Sequence, residues 1–147
     1  MGQHPTSVTR AIQLLLGLLV AGAVVTVLVV VFREDLDEAW SAGHPADSAI
    51  QPLEFVPVTI VLYVTVALLA LTLIPFFRSG ANWARHSLAA MVLLIAVSTL
   101  AVIRTDPPTL FVVLSIGSLV LDAAILLFLW HPSTSRFMRE EAAAVDA

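Results

Sequence analysis

The chain has 147 residues, 59% of them hydrophobic and 12% charged, with a formal net charge of −4 and no cysteine. Charge at about half the globular norm argues against a nucleic-acid partner. The missing thiol excludes disulfides, iron–sulfur clusters, thiol redox chemistry and thiolate zinc sites.

Residues 1–10 read as a polar tail (Gln3, His4, Thr6, Ser7, Thr9). The first apolar run, 11–32, is too long for the 7–15-residue core of a signal peptide. The nearest small-residue cleavage pattern, at 39–41, lies well past its end. A retained helix is therefore expected. Three further runs follow, at 56–77, 83–103 and 109–130. A 22-residue run rises roughly 33 Å as a helix, and a hydrocarbon core is about 30 Å thick. The expected fold class is all-α: a polytopic membrane protein built as a four-transmembrane-helix antiparallel bundle over 11–132. Neither the loops nor the tail can bury a second core.

Between the first two runs, 33–55 is the one sizeable loop. Leu36, Ala39 and Trp40 share a helical face, with Glu34, Asp35, Asp37 and Glu38 on the others. That pattern predicts a short amphipathic turn on the outer surface, anchored by Trp40. His44 with Asp47 is too sparse a pair for a metal site, and the acids match no cation-binding loop. Pro57 suits a first helical turn, and Pro75 should loosen or end the second helix. Asn82 is the expected cap of the third helix. Asp106 is the expected cap of the fourth, with Pro107 as its first helical residue. Residues 133–147 read as a polar, Ala-rich tail.

Sidedness follows from arginine counting. Arg10, Arg78, Arg85, Arg136 and Arg139 fall on one side; only Arg33 and Arg104 fall on the other. This predicts a cytoplasmic-membrane protein with both termini in the cytoplasm and the 33–55 loop outside. Trp83, Trp130, Arg78 and Arg85 are expected at the inner interface as anchors. On the first helix, Gly17, Ala21 and Gly22 offer a close-packing surface. An intrachain contact is the default reading of it, ahead of a dimer face.

Asp122 is the ionisable group deepest in a span, roughly 4 Å to the inner side of the bilayer centre by residue counting. A central Asp costs about 2.5–3.5 kcal/mol on insertion, and the Leu, Ile, Val and Phe of its own helix return roughly 4–8 kcal/mol. The helix should insert with the carboxyl facing protein or trapped water. Ser115 and Ser118 share its face at i−7 and i−4. A protonated Asp122 would donate to the Ser118 carbonyl or to a hydroxyl opposite, for which Thr72 on the second helix is the best depth match. Default for this stripe is a satisfied interhelical hydrogen bond; contact with a partner helix or a proton relay are the functional readings.

The segment Arg78-Ser79-Gly80-Ala81-Asn82-Trp83-Ala84-Arg85 and the ending Leu127-Phe128-Leu129-Trp130-His131-Pro132-Ser133-Thr134-Ser135-Arg136-Phe137 resemble motifs of a family. It comprises small four-helix membrane proteins of unassigned function common in high-GC Gram-positive (actinobacterial) genomes. The acidic outer loop after the first helix is part of that resemblance, and the all-arginine basic set reads as the codon bias of a GC-rich genome. It implies topology and cellular context and supplies no catalytic residues. Intramembrane aspartyl proteolysis needs two membrane aspartates and quinone-linked thiol oxidation needs Cys-x-x-Cys, so no enzyme, cofactor or metal is expected. The favoured function is a non-enzymatic accessory or interaction subunit of a membrane complex. Expected partners are lipid, other membrane proteins or a second copy. The alternative is a small oligomeric transporter or channel using Asp122. Small multidrug exporters carry their membrane acid as a Glu on the first helix, and the first helix here has no acid.

Overall fold

A computed structural model describes residues 6–43, 55–104 and 106–146. Within them the chain forms six helices: α1 (Thr6–Val31), α2 (Arg33–Gly43), α3 (Phe55–Arg78), α4 (Asn82–Ile103), α5 (Thr109–Leu129) and α6 (Pro132–Asp146). The fold is all-α. Four helices, α1, α3, α4 and α5, are long and apolar enough to cross a membrane. In hydrocarbon no water can satisfy a peptide group, so a helix that bonds all its own backbone is the available solution.

The four long helices pack as a ring, α1 on α3, α3 on α4, α4 on α5 and α5 on α1. The pairs α1/α4 and α3/α5 therefore sit across the diagonals. The core is one-sided along the bundle axis. Its buried cluster joins Val8, Ala11 and Leu15 of α1 to Ala70 and Phe77 of α3, Ala84 and Leu88 of α4, and Ile125 and Leu129 of α5. All lie in the half near the chain termini. Alanines at 11, 70, 84 and 89 let the backbones close up there, as small residues do in lipid. Toward the other end the buried side chains thin out to Val29 and Phe111.

Several local expectations change. Thr6–Arg10 belongs to α1 rather than to a tail. α2 is a three-turn helix that carries α1 onward: Phe32 N–H donates to the Leu28 carbonyl (2.8 Å) and Leu36 N–H to that of Phe32 (3.0 Å). From Thr6 to Gly43 the two helices measure roughly 57 Å along their axes, so α2 stands beyond a 30 Å core. The Trp40 side chain, His44, Asp47 and Glu54 lie outside the described residues. Pro75 does not end α3, which runs on to Arg78 and closes with Ser79 N–H on the Pro75 carbonyl (3.0 Å). A proline lacks only its own N–H, and neighbouring helices tolerate that gap in a membrane.

At the N-terminus of α4 the cap is Ala81, with no side-chain cap bond. Asn82 is already helical, and its carbonyl meets His86 Nδ1 at 2.8 Å. α5 is capped by Pro108 and begins at Thr109, while Asp106 takes a left-handed φ of 49°. The cause is Pro108: a residue before proline is driven out of the helical region, so Pro107 cannot open the helix.

The α3–α4 turn closes as a Schellman motif, with Ala81 N–H on the Phe76 carbonyl (3.0 Å) and Gly80 N–H on that of Phe77 (3.2 Å). Gly80 sits at φ +80°, and a Cβ there would lie 2.5 Å from Glu141 Cβ. Glu141 belongs to α6, which replaces the expected tail. Pro132 suits a first helical position. Thr134 and Met138, at i and i+4, turn one face of α6 onto the ends of α1 and α5. Gly80→Ala is therefore expected to cost about 1–2 kcal/mol from backbone handedness alone and to push α6 off the turn. A lowered unfolding midpoint in detergent, with faster proteolysis after residue 130, is the expected readout.

Candidate functional site: an enclosed carboxyl on the fourth span

Seven residues before its end, α5 places Asp122 at 1% exposure, on the face turned toward the ring. At its depth the buried neighbours are apolar: Leu15 and Leu18 of α1, Ala70 of α3, Met91 and Val92 of α4, Ile125 of α5. Neither carboxyl oxygen has a hydrogen-bond partner among the described residues. Ser115 and Ser118 are half-buried on the same face, and neither bonds the carboxyl.

The expected partner on the second span is not there. Thr72 is exposed and donates to the Leu68 carbonyl of its own helix at 2.7 Å. The reason is the ring order. Depth alone paired Thr72 with Asp122, but α3 lies diagonally across from α5, and the Thr72 side of α3 faces outward. Among the described residues Asp122 makes no interhelical hydrogen bond, and Thr72 is not its partner.

The end of the bundle near the chain termini is a separate polar and aromatic layer. Arg85 Nη1 donates to Ser135 Oγ at 3.1 Å, its guanidinium carbon lies 6.0 Å from the Trp130 ring centre, and its Nε is buried without a partner. His86 meets Trp130 edge-on at 6.4 Å, and Trp83 packs on Phe76 at 5.2 Å. Trp83, Trp130 and Arg78 are exposed. This layer lies about 12 Å along the axis from Asp122, since Trp130 is eight residues further on. Arg85 is engaged with Ser135 and does not bond the carboxyl.

Sequence reasoning missed one cluster. Thr134 Oγ1, at 0% exposure, lies 2.9 Å from Ser7 Oγ and 3.0 Å from the Phe128 carbonyl; Ser133 Oγ donates to Ser7 Oγ at 2.8 Å. His131 Nδ1 sits 2.7 Å from Ser133 Oγ. These bonds tie the first turn of α1 to the start of α6. A Pro-Ser-Thr-Ser start signal was present in the sequence, but it followed a helix end and read as a turn. Thr134→Val should cost about 1–2 kcal/mol, because the substitution strands buried polar groups. Faster backbone hydrogen exchange confined to 132–146 is the expected signature.

The glycines of α1 also separate. Gly22 receives the Tyr63 ring, where a Cβ would lie 2.9 Å from Cε2, and Tyr63 Oη donates to the Leu19 carbonyl at 2.8 Å. Gly17 faces open space. Among the described residues no group of three His, Asp or Glu comes together to hold a metal ion. Chemically, a lone enclosed carboxyl can hold or release a proton; it has no neighbouring nucleophile or second acid. No protein-family model matches the chain, and neither a curated protein nor a solved structure does so.

Proposed function

We propose that this chain is a multi-pass protein of the cytoplasmic membrane, both termini in the cytoplasm, acting as a non-enzymatic accessory or interaction subunit of a membrane complex. The observation that carries this reading is α2. It continues α1 beyond the length that a hydrocarbon core of about 30 Å needs, bears Arg33, Glu34, Asp35, Asp37 and Glu38, and has no extensive packing on α3, α4 or α5. With Arg33, Glu34, Asp35 and Glu38 exposed, such a helix can meet another protein. The arginine asymmetry supports the sidedness, and the sequence motifs at 78–85 and 130–137 support kinship with the small four-helix family they resemble. Lipid is the other partner: His86, Ala89, Leu93 and Trp130 line an apolar groove on the α4–α5 surface.

A photocrosslinker at Glu34 or Glu38, activated in native membranes, is expected to capture one protein reproducibly. Reversal of the α2 charges should abolish the capture. Recovery of the uncrosslinked monomer alone would count against an interaction role. Reporters that fluoresce only in the cytosol are expected to light at both ends; a dark terminus would reverse the sidedness.

A second reading, a small oligomeric transporter or channel, is favoured by one observation: a buried carboxyl that no group among the described residues satisfies. It requires Asp122→Asn to abolish a flux measured in vesicles reconstituted with the pure protein.

A further inference from the structure

The packing around Asp122 is unequal on its two sides. On the inner side Leu15, Leu88, Phe77, Ile125 and Leu129 belong to the buried apolar cluster. On the outer side fully buried side chains are fewer, with Val29 and Phe111 buried and Leu19, Val66 and Ile95 partly buried. There the same face of α5 continues through Ser118 and Ser115, both half-buried. An intramembrane carboxyl has to be neutralised or hydrated, and the described residues supply it with neither a cation nor a donor. The titratable groups on the packed helices all lie elsewhere. Arg10 of α1, Arg78 of α3, Arg85 and His86 of α4, and Arg136, Arg139, Glu140 and Glu141 of α6 are at the inner end, while Arg104 and Asp106 are at the outer turn. Tyr63 of α3 is engaged with the Leu19 carbonyl.

We propose that Asp122 is a proton-binding site entered from the outer end of the bundle, along the Ser115–Ser118 face. A dehydrated alkali cation demands several oxygen ligands, and this face offers two hydroxyls beside the carboxyl. A proton needs only the carboxyl itself. Access follows the packing: half-buried polar side chains and fewer fully buried residues on one side, the buried apolar cluster on the other. The site rests on the chemistry of Asp122 and not on transport. A protein that binds the proton without moving anything leaves this inference standing while the transporter reading fails.

The test uses the full chain in liposomes. Dicyclohexylcarbodiimide, a membrane-soluble reagent, adds a protonated carboxyl across its C=N bond to give an acylisourea that rearranges to a stable acylurea. Mass spectrometry then locates the adduct. Asp122 is expected to label at least tenfold faster than Glu34 or Glu140, with the rate falling as pH rises and no protection by sodium. Ser118→Val should slow the labelling several-fold, and Thr134→Val should leave it unchanged. Infrared difference spectra of wild type against Asp122→Asn cover the case in which the reagent cannot enter. The carbonyl band of a protonated acid should be present and should shift in heavy water, more slowly in Ser118→Val. An absent band in a folded protein, or protection by sodium, would overturn proton binding. Faster labelling in Thr134→Val, which loosens the inner end, with no change in Ser118→Val would overturn outer access.

Discussion

Asp122→Leu is expected to make the protein more stable, by about 2 kcal/mol, in detergent or bicelle unfolding. An enclosed polar group without a partner costs about 1–3 kcal/mol in proteins, and replacing such a group by an apolar one of similar size removes that cost. The gain should be absent for Asp122→Asn, whose amide inherits the same unsatisfied position among Leu15, Met91 and Ile125. Any function assigned to the carboxyl should be lost in both variants. A loss of stability in Asp122→Leu would show that the carboxyl has a stabilising partner and would remove the argument for a site there.

The second large effect contrasts two neighbours. Phe77 is 0% exposed and Phe76 is 45% exposed. In a water-soluble core Phe→Ala costs about 3–5 kcal/mol. In a bilayer the transfer part shrinks, because lipid is as apolar as the core. What remains is the void, whose lining atoms lose their contacts outright. Phe77→Ala should therefore cost about 2 kcal/mol. Phe76→Ala should cost a few tenths, the share of its contact with Trp83. Equal losses at the two positions would mean that α3 is rotated about its axis from the orientation described.

These two residues also mark where the sequence stops being informative. Apolar run length is enough to place four helices, because in hydrocarbon the backbone has no alternative to bonding itself. It says nothing of which side of each helix faces protein. In soluble proteins a polar stripe marks the outside; here lipid and core are equally greasy, and the α3 run around Phe76 and Phe77 reads the same all round. Thr72 shows the cost. Its depth made it the natural partner for Asp122, and only the ring order of the helices places it on the lipid side. Gly17 and Gly22 show the same ambiguity: one meets Tyr63, the other meets nothing.

Outside the spans, local chemistry was legible one signal at a time and misleading in combination. Asp106-Pro107-Pro108 contains a capping residue and a helix-starting proline, but the second proline moves the start to Thr109. The 132–146 segment carries a start signal and a face through Thr134 and Met138, yet it buries that face only because α1 and α5 end side by side above it.

Composition and run length by themselves determined that the chain is a four-span helical membrane protein, and the arginine pattern predicted its sidedness. Both are properties that each segment settles alone with the bilayer. Only the tertiary structure decided that Asp122 is enclosed without a partner, that the core is tight at one end and thin at the other, and that α6 closes the tight end. Those are relations between helices. When solvent and core have the same polarity, nothing in a single segment records which neighbour it will meet.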